Sequence, residues 1–149
     1  ESSFRIAAAL KNVGRSFPGK KITVNMAPAD LRKEGSAYDL TFAMGILIAS
    51  GQIKAEKIGE YIIMGELSLD GSLQPIKGAL TIAIKAKKEG FKGFFLPKQN
   101  VKEAAIVSGL DVYGIENIEE IFVDSNDHCL SLIKPEANDD AEHVGVPDE

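Results

Sequence analysis

Cysteine and histidine are scarce in this chain: of 149 residues, only Cys129, His128 and His143 carry a thiol or an imidazole. A lone thiol forms no internal disulfide, and nothing points to an oxidising compartment. No histidine precedes residue 128, so the body of the chain has no imidazole for a serine–histidine hydrolase. The spacing of these three residues is not that of a zinc site. No apolar run approaches the roughly 18 residues of a membrane span, and no secretory signal pattern is visible. The first residue is Glu1 rather than methionine, which leads us to expect a piece of a longer polypeptide. A strong charge bias is also missing. The net charge is −5, but residues 1–134 hold all 17 basic and 16 of the 22 acidic side chains, and the other six acids lie in 135–149. A near-neutral body excludes the strong basic bias of a dedicated nucleic-acid binder, though not a local basic patch.

What is present is a composition of 44% hydrophobic and 26% charged residues, that of an ordinary globular protein. One domain of this length can bury a real core. The stretch it is organised around runs from Lys33 to Ser50. A charged, glycine-containing loop there enters a helix that is apolar almost all round, hence buried. Ser36 with Asp39 three places on reads as a capping box at its start, and Gly51 ends it.

Periodicity places the other elements. Ser2 to Val13 is an amphipathic helix ended by Gly14, and Lys21 to Met26 alternates as a strand. Tyr61 to Met64 is a short apolar strand. Glu66 to Gln74 reads as a hairpin with a two-residue Asp70-Gly71 turn, both positions at positive φ. Gly78 to Glu89 is a helix with Leu80, Ala83 and Ile84 inward and Lys85, Lys87 and Lys88 outward. Gly93 to Pro97 and Leu110 to Tyr113 are strands, with short helices at Val101 to Val107 and Ile118 to Val123. One hairpin followed by β–α alternation predicts an α+β (α/β) domain, a mixed sheet backed by helices, over 1–134. Residues 135–149 read as an acidic, flexible tail.

Gly14-Arg15-Ser16-Phe17-Pro18-Gly19-Lys20-Lys21 nearly matches a phosphate loop. Lys21 stands where a hydroxyl must hold the metal, and the segment follows a helix and opens a strand, the reverse of the required order. It reads as a turn. A serine activated by lysine is a further chemistry to weigh. Ser36 lies at a helix start, where N–H groups could stabilise an oxyanion, but its plainer role is an N-cap. Arg32 and Lys33, just before the same helix, could touch an acidic partner or nucleic acid; their plainer role is as solvated loop charges.

The run from Ile22 to Leu40 (Ile-Thr-Val-Asn-Met-Ala-Pro-Ala-Asp-Leu-Arg-Lys-Glu-Gly-Ser-Ala-Tyr-Asp-Leu) resembles the N-terminal domain of the magnesium-chelatase-like AAA+ proteins of bacteria, the ComM/YifB group. Gly65 to Gly71 and Pro75 to Leu80 continue the likeness, which covers most of residues 1–123. More distantly, both segments are similar to the proteolytic domain of Lon peptidases and the C-terminal domain of RadA. The resemblance implies the Lon-like fold, named for the second domain of a small-subunit ribosomal protein (five in the usual numbering). It also implies a cytoplasmic parent protein in which an AAA+ module follows this domain and binds ATP and magnesium. The parent would be a hexameric helicase acting on branched DNA.

Carried over by residue, the Lon serine falls on Ala37, with Ser36 at the position of the preceding proline, and the Lon lysine falls on Leu80 or Thr81. Neither is a base, so the resemblance implies a Lon-like scaffold without its catalytic pair and no cofactor in this chain. The alternative is a Ser-Lys peptidase using Ser36 and Lys77. One feature is out of place. Val144-Gly145-Val146-Pro147-Asp148 resembles a family run that precedes the first helix, so the tail is expected to be either disordered or a segment out of family order, lying near Ser2.

Overall fold

The helix apolar on every side becomes the centre of one of two cores. In the computed structural model, which describes residues 2–15, 35–53 and 58–122, helix α2 spans Asp39–Ala49 and buries Leu40, Ala43, Met44, Ile46 and Leu47. Helix α1 (Ser2–Asn12) packs against it through Ile6, Ala9 and Leu10. Both helices close on the same pair of backbone bonds. After α2, Gly51 N–H bonds Ile48 O and Gln52 N–H bonds Leu47 O; after α1, Gly14 bonds Lys11 and Arg15 bonds Leu10. This ending needs a left-handed residue, and Gly14 (φ 80°) and Gly51 (φ 77°) supply it without a Cβ clash.

Strands β1 (Tyr61–Ile63), β4 (Gly93–Pro97) and β5 (Asp111–Ile115) form a parallel sheet in the order β1-β4-β5, with Ile63 beside Phe95 and Phe95 beside Tyr113. Strands β2 (Glu66–Leu67) and β3 (Leu73–Gln74) make a separate antiparallel pair. The crossover from β1 to β4 carries this hairpin and helix α3 (Ala79–Lys88); that from β4 to β5 carries helix α4 (Val101–Ala104). Successive strand side chains point to opposite faces. Ile63, Phe95, Tyr113 and Ile115 meet α1 and α2, while Ile62, Phe94, Leu96 and Val112 meet α3 and α4. The result is a three-layer α/β domain. Both strand senses occur, in two separate sheets among the described residues.

Three local expectations change. The hairpin loop is longer than two residues. Gly71 N–H bonds Ser68 O, Ser68 N–H bonds Ser72 O, and the paired residues are Leu67 and Leu73. Leu69, Asp70 and Gly71 therefore form a three-residue loop, with the positive φ at Gly71 (92°). On α3 the buried face is Ala79, Ala83 and Ala86; Leu80 and Ile84 are only partly covered. Small side chains let the helix sit close to the sheet. The last two predicted helices are shorter and tighter than expected, α4 ending at Ala104 and Ile118–Phe122 forming a 3₁₀ turn. The predicted strand at Lys21 to Met26, the turn before it and the tail lie outside the described residues.

Candidate functional site

The turn that opens α2 is built differently from a capping box. Ser36–Tyr38 form a 3₁₀ turn behind Gly35, and no side chain caps it. Gly35 has φ 95°. Ser36 thus lies inside the turn rather than at its cap. Nor does Asp39 reach back to Ser36. Its carboxylate is fully buried and accepts two hydrogen bonds from Arg5, Nε to Oδ2 at 3.0 Å and Nη2 to Oδ1 at 2.9 Å. Leu67 N–H adds a third, at 3.1 Å. One charged side chain at the head of an apolar helix therefore joins α1, α2 and β2. A bidentate, charge-assisted pair of this kind fixes orientation as well as adding energy.

The turn is also stitched to the chain leaving β1. Gly65 N–H donates to Ala37 O at 2.8 Å, and Leu40 N–H donates to Gly65 O at 2.9 Å. Thr41 Oγ1 donates to Ile63 O. These bonds place Ser36 at the carboxyl end of the parallel strands, the edge where open α/β sheets commonly bind ligands.

A second loop reaches the same edge. Asn100, buried just beyond β4, accepts Ile76 N–H at 2.9 Å and donates to Ile76 O at 2.9 Å. Lys77 follows Ile76 directly and is exposed. Glu103 accepts Leu80 N–H at 3.1 Å, tying the first turn of α3 to α4. Ala37 and Tyr38 pack against the same core that contains Ile76 and Ala79. Burial pushes the Tyr38 phenol above its usual range. No hydrogen bond joins Ser36 to Lys77 among the described residues.

Of the residues singled out in the sequence, Ser36 and Lys77 thus share an edge of the sheet. Arg32 and Lys33 lie outside the described residues, as do His128, Cys129 and His143. At the positions matched to the Lon pair, Ala37 is half-buried with its carbonyl bonded, Leu80 is half-buried against the second core, and Thr81 is exposed. Sequence reasoning missed the Arg5–Asp39 pair and the Asn100 clamp. An aspartate heading an all-apolar helix was the available signal for the first, since a buried charge demands a partner. Asn100 carried no such signal. Gly14, at the head of the phosphate-loop lookalike, closes α1, so this segment does follow a helix. Among the described residues no helix is long and apolar enough to cross a membrane.

A family model described as subunit ChlI of Mg-chelatase matches residues 1–100. The chain is 39% identical over 137 residues to YifB of Escherichia coli, covering 91% of this chain and 27% of that protein. It is 38% identical over 121 residues to competence protein ComM of Haemophilus influenzae, covering 81% and 24%. A weaker likeness, 26% over 113 residues, links it to the Lon protease of Mycoplasma mobile, covering 72% of this chain and 13% of that protein. The chain spans about a quarter of the length of the YifB and ComM proteins it matches.

Proposed function

The chain belongs to the family of the ChlI subunit of Mg-chelatase, and from that premise we propose that it is a non-catalytic Lon-like domain of a bacterial AAA+ ATPase of the ComM type, serving assembly and the engagement of a partner or DNA. The observation that carries this reading is the state of the two positions matched to the Lon pair. Ala37 has no nucleophile and its carbonyl is committed to Gly65 N–H; Leu80 has no base and packs on the second core. The edge that would hold a peptidase centre is instead tied together by backbone bonds. In this reading ATP and magnesium are held by an AAA+ module elsewhere in a cytoplasmic polypeptide. Self-association, into a hexamer in the parent, and DNA contact follow from that context.

The rival reading, a Ser-Lys peptidase of Ser36 and Lys77, draws on their shared position at the carboxyl edge. Labelling with a fluorophosphonate probe separates the two. The scaffold reading expects no stoichiometric labelling; labelling that disappears in Ser36→Ala sinks it. A comparison of oligomer size and DNA binding between this chain and the intact polypeptide then assigns the assembly role to one part or the other.

A further inference from the structure

The charge of the domain is unevenly distributed over its layers. Residues 75–110 contain seven lysines, all on or beside α3 and α4, which cover one face of the sheet. The same stretch has two carboxylates, and both are engaged. Glu89 pairs with Lys85 at 3.6 Å, and Glu103 turns to Leu80 N–H and to Asn100. Lys92 reaches Glu60 at 3.9 Å. Lys77, Lys88, Lys98 and Lys102 are exposed and have no carboxylate partner among the described residues. Acids gather in the stretch that follows, where Asp111, Glu116, Glu119 and Glu120 occur without a lysine or arginine.

The fold fixes the spacing of these four cations. The Asn100–Ile76 clamp holds Lys77 beside the helical stretch that begins at Lys98. On that stretch Lys98, in the 3₁₀ turn, and Lys102, on α4, are four residues apart and both exposed. Lys88 marks the far end of α3, whose ten residues extend about 15 Å. The large hydrophobic side chains that are exposed among the described residues, Phe4 and Leu69, lie on α1 and the hairpin loop, away from this layer.

We propose that the outer face of the α3–α4 layer docks the phosphate backbone of DNA without sequence preference. The proposal rests on the reading of this domain as one that engages a partner or DNA, and it names the face. Lysines are point charges without the planar fork of arginine, suited to phosphate contact rather than to reading base edges. An amphipathic partner helix needs an apolar groove and a bilayer needs apolar anchors; among the described residues the large hydrophobics at the surface of this layer, Leu80, Ile82, Ile84 and Phe91, are partly covered against the core rather than fully exposed. A duplex carries a charge every 1.7 Å or so, and thus about nine over 15 Å of its axis, enough to meet all four lysines.

The test is anisotropy of a labelled mixed-sequence DNA duplex titrated with the 149-residue chain at several salt concentrations. Four phosphate contacts give a slope of log affinity against log salt of roughly −3 to −4. Lys77, Lys88, Lys98 and Lys102 changed together to Gln should weaken binding at least about tenfold at low salt, and each single change should lower the slope by about one. Lys11→Gln, on α1 in the opposite layer, should leave binding unchanged. Circular dichroism melting shows that the variants remain folded. The proposal is overturned if the quadruple variant binds as the parent does, or if Lys11→Gln weakens binding equally. It is also overturned if polyglutamate or phosphatidylserine vesicles bind through these lysines while the duplex does not. Failure here, with no labelling by the fluorophosphonate probe, leaves the scaffold reading standing, so the two are separately testable.

Discussion

Asp39 ties three elements together through one buried side chain. It is fully buried, and its carboxylate takes three hydrogen bonds from two other elements. Removing one partner of a buried pair leaves the other charge uncompensated, which typically costs about 3–5 kcal/mol. Arg5→Ala should therefore destabilise the domain by about that amount in urea titration, because it leaves the fully buried Asp39 carboxylate without its counter-charge. Asp39→Ala leaves Arg5, which is partly exposed and can be hydrated, and should cost less. A larger cost for Asp39→Ala than for Arg5→Ala would mean that the lost bond to Leu67 N–H outweighs the lost counter-charge. Gly71 is constrained in a different way. A Cβ there would lie 2.8 Å from Val13 Cγ1 and 3.2 Å from Ile118 Cγ2, on a backbone with φ of 92°. Overpacking and a β-branched residue at positive φ act together in Gly71→Val, with an expected loss of about 2–4 kcal/mol. Gly71→Ala should lose less; a neutral result for both would place the hairpin tip away from α1.

At the scale of the element, α2 is the one whose loss would empty a core. Leu47 is fully buried and Ile46 nearly so. Leu47→Ala should cost about 2–5 kcal/mol through lost burial and a residual cavity. A change below about 0.5 kcal/mol, the size expected of surface substitutions, would contradict the packing. This element was legible in the sequence because its signals are local: an unbroken apolar run and a glycine at the point where the chain must turn left-handed. The strands at Tyr61 and Gly93 were legible for the same reason. The capping box at Ser36 was misread because the partner that claims Asp39 is Arg5, 34 residues away. The hairpin register was misread because Gly71 is positioned by α1 and by Ile118, which local turn chemistry does not reveal. On α3 the larger Leu80 and Ile84 suggested the inward face, whereas close approach to the sheet selected the alanines. The edge shared by Ser36 and Lys77 depends on backbone bonds of Gly65 and on the side-chain amide of Asn100 clamping Ile76, which no sequence period records.

At the scale of the whole molecule, one sheet serves two cores, so a charge forced into either should open both. Tyr113 offers such a charge. It is buried beside Phe95, the rings stacked 4.4 Å apart, with Tyr61 edge-on to both. Burial, followed by the nearby Tyr61 and Asp111, pushes its phenol from 10.0 up to about 12. The native state thus holds this proton more tightly than the unfolded chain does. The resulting stabilisation is fully present below pH 10 and is lost as pH rises from 10 through 12. A rise of that size corresponds to about 2–3 kcal/mol. Tyr113→Phe keeps the ring and removes the ionisable group, so it should flatten the fall of stability between pH 10 and 12, apart from what Tyr38 contributes. Urea midpoints across that range check the slope, and ultraviolet titration of the phenolates should lose its highest step in the variant. A parent protein whose phenols all titrate near pH 10 while it remains folded would show that water reaches Tyr113 and that the sheet is less closed on this face than described.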